Sequence, residues 1–269
     1  MNAIVGGLSA LLYFLAGSWL ALRLARSGEN VSSSKAGPLA LGWGAVALHA
    51  AILTQTVFEP AGLNLGFFNA LSFTGWLINL VLLAVATLQP VENLGIVAMP
   101  AGALTALLGL LFPGQRIVAD SSQWPLEVHI LIAILAYALL SLAAAQALLL
   151  AVQDRRLRQR QPGGFLRGIP PLTAMERLLF QLITAGFILL SVTLASGFFF
   201  LKDLFAQHLA HKTLLSLIAW CVFGVLLWGR WRFGWRGRTA IRWTLSGFGF
   251  LVLAFFGTKL VLELILRRY

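Results

Sequence analysis

Several patterns that carry common protein chemistry are missing from this sequence. The chain has one cysteine, Cys221, which lies inside an apolar run. A single cysteine excludes an intrachain disulfide and any CxxC thiol chemistry carried by this chain alone. No two histidines have the HxxxH or HExxH spacing of a helical zinc site, so a zinc hydrolase has weak support.

Charged side chains are also scarce. They make up 11% of the 269 residues, whereas hydrophobic residues make up 59% and the mean hydropathy is +0.86. Soluble domains carry about 25% charged residues, so this chain cannot shield its apolar surface from water by folding alone. The apolar runs are long and do not alternate with polar residues, which excludes a barrel and favours helices. The sequence therefore predicts an all-α, polytopic integral membrane protein.

The long apolar runs predict a bundle of eight transmembrane helices in a single integral membrane domain, residues 1–269. One helical crossing needs roughly 20 apolar residues. We expect the spans at about 3–23, 37–57, 67–88, 93–112, 126–151, 177–201, 211–229 and 241–264. The longest polar stretch, residues 153–175, is expected to be a loop because it is rich in glycine, proline and charge.

Basic residues outnumber acidic residues by 20 to 9, which gives a net charge of +11. Nucleic-acid binding is a poor explanation, because the arginines cluster in the first, fifth and seventh connections between spans. Clusters of this kind orient membrane proteins with their cations in the cytoplasm. The pattern predicts cytoplasmic odd-numbered connections, an outside N-terminus and a first span that is retained rather than cleaved as a signal peptide.

The sequence has four histidines, and the predicted topology places three of them at the outer face. His129 lies at the outer mouth of span five, and His208 and His211 lie around the start of span seven. His49 lies about twelve residues into span two, near the middle of the bilayer. Histidine is costly within hydrocarbon, where it usually faces a bundle interior or a cavity.

These positions suggest haem ligation. Neutral imidazole is the commonest side-chain metal ligand, and haem iron takes histidine as an axial ligand. Imidazoles from different helices that meet in one pocket would suit an apolar macrocycle with iron at its centre. We expect His129 and His211 to be the axial pair, with His49 as an inner ligand or relay. His208 is expected to be a solvated loop residue, and a structural role for the others stays open.

Three segments resemble those of cytochrome c assembly (CcsA-type) membrane proteins. Residues 128–158 are similar to the family's span that opens with an outward-facing histidine and continues with a Tyr-Ala pair, here Tyr137–Ala138. Residues 170–200 and 211–238 continue the match in the same order. The resemblance extends over roughly residues 40–265 and is strongest to the short YpjD/HemX-like branch.

The resemblance implies haem handling in c-type cytochrome biogenesis at the outer side of a bacterial inner membrane. His129 matches the family's outward-facing ligand. The tryptophan-rich WWD segment of haem-lyase-type members is missing from residues 201–213, so we predict no catalytic residues and do not expect an enzyme. The expected cofactor is haem. The expected partners are the lipid bilayer and other cytochrome c assembly proteins or apocytochrome.

Two other functions stay open at this point. A non-enzymatic scaffold or regulator of haem synthesis would bind its partner through the arginine-rich residues 153–175. The same arginines are also explained by orientation and by attraction to anionic lipid. A small transporter is the weaker alternative, because the spans show no inverted repeat and no carboxylate near mid-span.

Overall fold

Helices dominate the structure, a computed structural model that describes residues 2–26, 34–60, 62–114, 117–120, 124–159, 170–200, 207–257 and 260. These residues form α1 (Asn2–Arg26), α2 (Ala36–Thr56), α3 (Phe67–Leu88), α4 (Gly95–Leu111), α5 (Trp124–Arg158), α6 (Leu172–Phe200), α7 (Gln207–Phe233) and α8 (Gly237–Val252). A short 3-10 turn, Glu92–Leu94, precedes α4, and a π-helical segment, Leu253–Gly257, continues α8.

Eight helical spans in the described part of the chain are long and apolar enough to cross a bilayer, when α4 is taken with the 3-10 turn before it and α8 with the π-helical segment after it. This confirms the predicted all-α, polytopic membrane bundle. The loop predicted for residues 153–175 is shorter than expected, because α5 continues to Arg158 and α6 begins at Leu172. Arginine, glutamine and leucine are good helix formers, so the charge that marks the end of the apolar run does not end the helix. Residues 160–169 of that predicted loop lie outside the described residues.

The helices pack in two neighbouring groups. In the first group α1 contacts α2 and α4, and α3 also contacts α2 and α4. In the second group α5 packs along α6, while α8 contacts α5 and α7. The contact between α3 and α5 joins the two groups. A Cβ atom at Gly186 would lie 2.6 Å from Cγ of Leu140, so α5 and α6 approach this closely because that position lacks a side chain.

A small antiparallel sheet, which the sequence did not predict, joins two connections between helices. β1 (Phe58–Glu59) pairs with β2 (Gly62–Asn64), and β2 pairs with β3 (Ile117–Asp120). Gly62 has φ of 132°, a region that favours glycine, and it allows the tight reversal between β1 and β2. The sheet ties the connection after α2 to the connection after α4. Strands of two to four residues are too short to show an alternating pattern in sequence.

Ion pairs link the odd-numbered connections. The Glu92 carboxylate, just after α3, lies 3.9 Å from the Arg23 guanidinium and 4.0 Å from the Lys35 ammonium. Near the end of α5, Asp154 accepts a hydrogen bond of 3.2 Å from Arg238 of α8. The first connection is therefore held to the third, and the fifth to the seventh.

Candidate functional site

His129 lies on the wall of a cavity between α5, α6, α7, α8 and the π-helical segment. The cavity has a volume of about 370 Å³. Ligand sites in proteins have volumes of roughly 300–1,000 Å³ and combine apolar walls with a few polar groups. Most residues around this cavity are apolar, and the polar side chains that line it are His129, Tyr137, Thr193, Lys212, Thr213 and Ser216.

One face of α5 forms the longest wall. The cavity-lining residues of this helix follow a spacing of three or four positions, which places them on one side: Leu126, His129, Ile130, Ala133, Ile134, Tyr137 and Leu140. Apolar side chains hold this face inside the bundle. The imidazole of His129 and the phenol of Tyr137 are its polar groups.

A hydrogen bond to α6 holds the ring of His129 in place. Its Nδ1 atom lies 2.8 Å from Oγ of Ser196. The Ser196 hydroxyl donates its own proton to the carbonyl oxygen of Thr193 at 3.0 Å, so Ser196 Oγ accepts from Nδ1–H. Of the two neutral tautomers, the one with its proton on Nδ1 and its lone pair on Nε2 allows both hydrogen bonds to form together. Metal-bound histidines have this arrangement, because the ring nitrogen that does not bind metal donates to a fixed oxygen.

Aromatic rings pack around Tyr137 at the cavity. Its ring centroid lies 5.5 Å from that of Phe248, 5.9 Å from that of Phe255 and 5.5 Å from that of Phe256. Phe255 also lines the cavity. These rings come from α8 and the π-helical segment, and they hold both against α5. The rings of Tyr137 and Phe255, which line the cavity, suit a planar, apolar ligand.

α7 supplies the remaining polar wall. Lys212, Thr213 and Ser216 line the cavity and share one helical face. Lys212 is the cation among the described residues that line the cavity. An ammonium has three N–H donors, so Lys212 can bind a carboxylate in addition to the interaction it already makes, and the attraction is stronger where water is partly excluded.

The structure does not bring His129 and His211 to one wall of the cavity. His211 is exposed and is not among the residues that line the cavity, although the next residue, Lys212, is. Residues of a helix follow one another at about 100°, so Lys212, Thr213 and Ser216 lie within one arc of about 100°. His211 lies about 150° from the middle of that arc, on the other side of α7. The pairing of the two histidines stays a prediction. The side chain of His208 lies outside the part of the chain that the structure describes.

His49 is held in a different place, between α1, α2 and α3. It is 1% exposed, and its Nε2 atom lies 2.9 Å from Oγ of Ser72. The Tyr13 ring packs edge-on against it, with 5.9 Å between ring centroids. His49 is not among the residues that line the cavity beside His129. Its predicted role as an inner ligand or relay stays a prediction.

No group of three or more His, Cys, Asp and Glu side chains could hold a metal ion among the described residues. A metal centre built by protein ligands alone therefore has no support in that part of the chain. A haem group needs less from the protein, because the macrocycle brings its own nitrogen ligands and the protein supplies an axial side chain.

Sequence reasoning missed two residues of this site, Ser196 and Lys212. Nothing in the local sequence marks Ser196, which is one of many small residues in α6. Lys212 did carry a signal. It is a lysine at the start of an apolar run and directly follows the predicted ligand His211. A cation in this position is a candidate for a binding site near the membrane surface.

The sequence matches a known family over most of its length. Residues 39–266 match the family model described as cytochrome C assembly protein. The chain belongs to this family. Membership in the cytochrome c assembly family supports a role in cytochrome c biogenesis, and it confirms the resemblance seen in the sequence.

Individual relatives in the family agree with this assignment. Inner membrane protein YpjD of Escherichia coli is 35% identical over 225 residues, 82% of each chain. Protein HemX of Brevibacillus brevis is 23% identical over 238 residues, 86% of each chain. Cytochrome c biogenesis protein CcsA of a Synechococcus strain is 25% identical over 224 residues, 72% of this chain and 73% of that protein. No solved structure matches the sequence significantly.

Proposed function

We propose that this chain is a haem-binding membrane protein that handles haem during c-type cytochrome biogenesis, with His129 as an iron ligand. The hydrogen bond between His129 and Ser196 at the cavity wall carries this proposal. It leaves the lone pair of Nε2 for a ligand and fixes the ring that presents it. Family membership provides the biological setting.

The residues around His129 fit a haem group. The mostly apolar walls and the rings near Tyr137 suit the macrocycle, and the Lys212 ammonium suits the carboxylate side chains at its edge. When bound, haem supplies an iron that takes an axial imidazole. The protein would bind and orient the group through His129 and Lys212 and would keep water away through the apolar face of α5.

The second axial ligand and the orientation belong to the same proposal. His211 remains the proposed partner of His129, and it would need the start of α7 to rotate because its side chain is exposed in this structure. We propose that the His129 end of the bundle faces outward and that the arginine-rich connections face the cytoplasm. In that orientation a haem group would be accessible to an apocytochrome or to another assembly protein at the outer face.

An absorption spectrum tests the proposal. The full chain, produced with ample haem and extracted in mild detergent, is expected to show a Soret band in its oxidised and reduced forms. His129→Ala should lose or shift that band, and added imidazole should restore it because the substitution leaves space beside the iron. Colourless wild-type protein would overturn the proposal, and an unchanged spectrum of His129→Ala would remove His129 as the ligand.

A further inference from the structure

A second groove lies between α6 and the turn that joins α7 to α8, and it shares no lining residue with the cavity beside His129. Its volume is about 870 Å³. Its lining residues include both apolar side chains and cations. Phe180, Leu227 and Trp231 form apolar wall, and Arg230 and Arg236 provide two cations.

Arg230 is held in place at this groove. Its Cζ atom lies 4.7 Å from the centroid of the Phe180 ring, a cation–π contact. Its Nη1 atom also donates a hydrogen bond of 3.2 Å to the carbonyl oxygen of Trp235. A guanidinium has five N–H donors, so these contacts orient the group and leave further donors for an anion.

The turn between α7 and α8 brings the second arginine to the same groove. Gly234 and Gly237 have φ of 67° and 53°, conformations that favour glycine, and they reverse the chain within three residues. The reversal places Arg236 on the groove that Arg230 lines. The acidic group packed on this turn is Glu176, which is 7% exposed and accepts a hydrogen bond from Gly237 N.

Exposed aromatic residues mark the depth of the groove in the bilayer. Trp231 is 82% exposed and Trp228 is 56% exposed, both in the last turns of an apolar helix. Tryptophan with this placement lies at the level of the lipid headgroups. The two arginines are therefore at headgroup depth, and Leu227, one helical turn before Trp231, lies deeper in the bilayer.

We propose that this groove is a binding site for an anionic phospholipid. The phosphate lies between Arg230 and Arg236, and an acyl chain packs on the half-buried Leu227 and the exposed Trp231. Basic pockets between transmembrane helices recognise anionic headgroups in this way. An acidic protein segment would match the two cations but not the apolar wall beneath them, so the groove favours lipid.

Native mass spectrometry of the full chain, released from detergent with equal amounts of phosphatidylglycerol and phosphatidylcholine, tests this proposal. Wild-type protein should retain phosphatidylglycerol preferentially. The double variant Arg230→Gln/Arg236→Gln should bind it about 25-fold more weakly, about fivefold per arginine, since each basic residue contributes about 1 kcal/mol. The matched control Arg155→Gln/Arg156→Gln removes two exposed cations at the end of α5, outside the groove, and should lose less phosphatidylglycerol than the groove variant does.

Two further measurements separate a loss of lipid binding from misfolding and from a loss of haem binding. Arg230→Lys preserves the charge but loses the planar contact with Phe180, so it should retain more lipid than Arg230→Gln. The Soret band of the double variant should not change, so loss of lipid binding does not bear on the role of His129. Equal retention of both lipids by the wild type, or equal loss in the groove and control variants, overturns the proposal.

Discussion

The Nδ1 atom of His129 on α5 lies 2.8 Å from the hydroxyl oxygen of Ser196 on α6. The Ser196 hydroxyl in turn donates to the carbonyl of Thr193. This short chain of hydrogen bonds occupies Nδ1 of the imidazole. The same two helices are brought together by the close approach of Gly186 to Leu140.

Ser196→Ala should weaken haem binding about 10–100-fold without removing the Soret band, because partners of ligating histidines contribute that much to metal affinity. Haem titration followed by absorbance measures the effect. Ser191→Ala is the matched control on the same helix, since Ser191 bonds to Trp220 rather than to His129. Equal affinities for the two variants would contradict a positioning role for Ser196.

Lys212→Gln should reduce haem affinity about tenfold and leave the position of the Soret band unchanged. The loss corresponds to a charge-assisted hydrogen bond of about 1.5 kcal/mol. The comparison of haem with its dimethyl ester, which lacks free carboxylates, isolates this contact. Wild-type protein should prefer the free acid, and Lys212→Gln should bind both forms with similar affinity. If the variant still discriminates, Lys212 does not bind the carboxylates.

His49→Ala tests whether the buried histidine of α2 takes part in ligation. We expect the Soret band to persist, because His49 packs against Tyr13 and Ser72 and does not line the cavity. The substitution should still lower stability by about 1–3 kcal/mol, since it leaves Ser72 buried without this partner. Loss of the band in a folded variant would support the predicted role of His49 as an inner ligand.

Tyr13→Phe is the companion variant for this buried cluster. The hydroxyl of Tyr13 is buried and has no hydrogen-bond partner among the described residues. Removal of an unpaired polar group should leave thermal stability unchanged or raise it by about 1 kcal/mol. Thermal unfolding in detergent measures the change, and a marked loss of stability would show that the hydroxyl has a partner.

Glu176→Ala should destabilise the start of α8. Glu176 is 7% exposed, and its Oε1 atom accepts a hydrogen bond of 2.8 Å from the backbone N–H of Gly237. The truncation leaves that donor without its acceptor, at a cost of about 1–3 kcal/mol. Glu176→Gln retains an acceptor and should cost less. Asp154→Ala breaks ion pairs with exposed arginines and should cost at most about 1 kcal/mol.

The eight spans were predictable because each depends on a local quantity, the length of an apolar run. The predicted helix ends were wrong where polar residues continued a helix, as in α5 between Gln153 and Arg158. The sheet of β1, β2 and β3 was not predictable, because its register depends on contacts between connections far apart in the chain. The hydrogen-bond partner of His129 was not predictable either, since Ser196 lies 67 residues away in sequence.

The amino-acid sequence alone determined that this protein lies in a lipid bilayer, that it is all-α, how many helices span the membrane and to which family it belongs. These properties follow from the hydropathy of single segments and from the order of motifs. It also singled out His129. Only the tertiary structure decided which side chains accompany that histidine. Packing of α5 on α6 and α7 placed Ser196 and Lys212 at its cavity and left His49 in the other group of helices. The rotation of each helix and the choice of its neighbours depend on how well whole helix surfaces fit together. This fit cannot be predicted from the sequence of one segment.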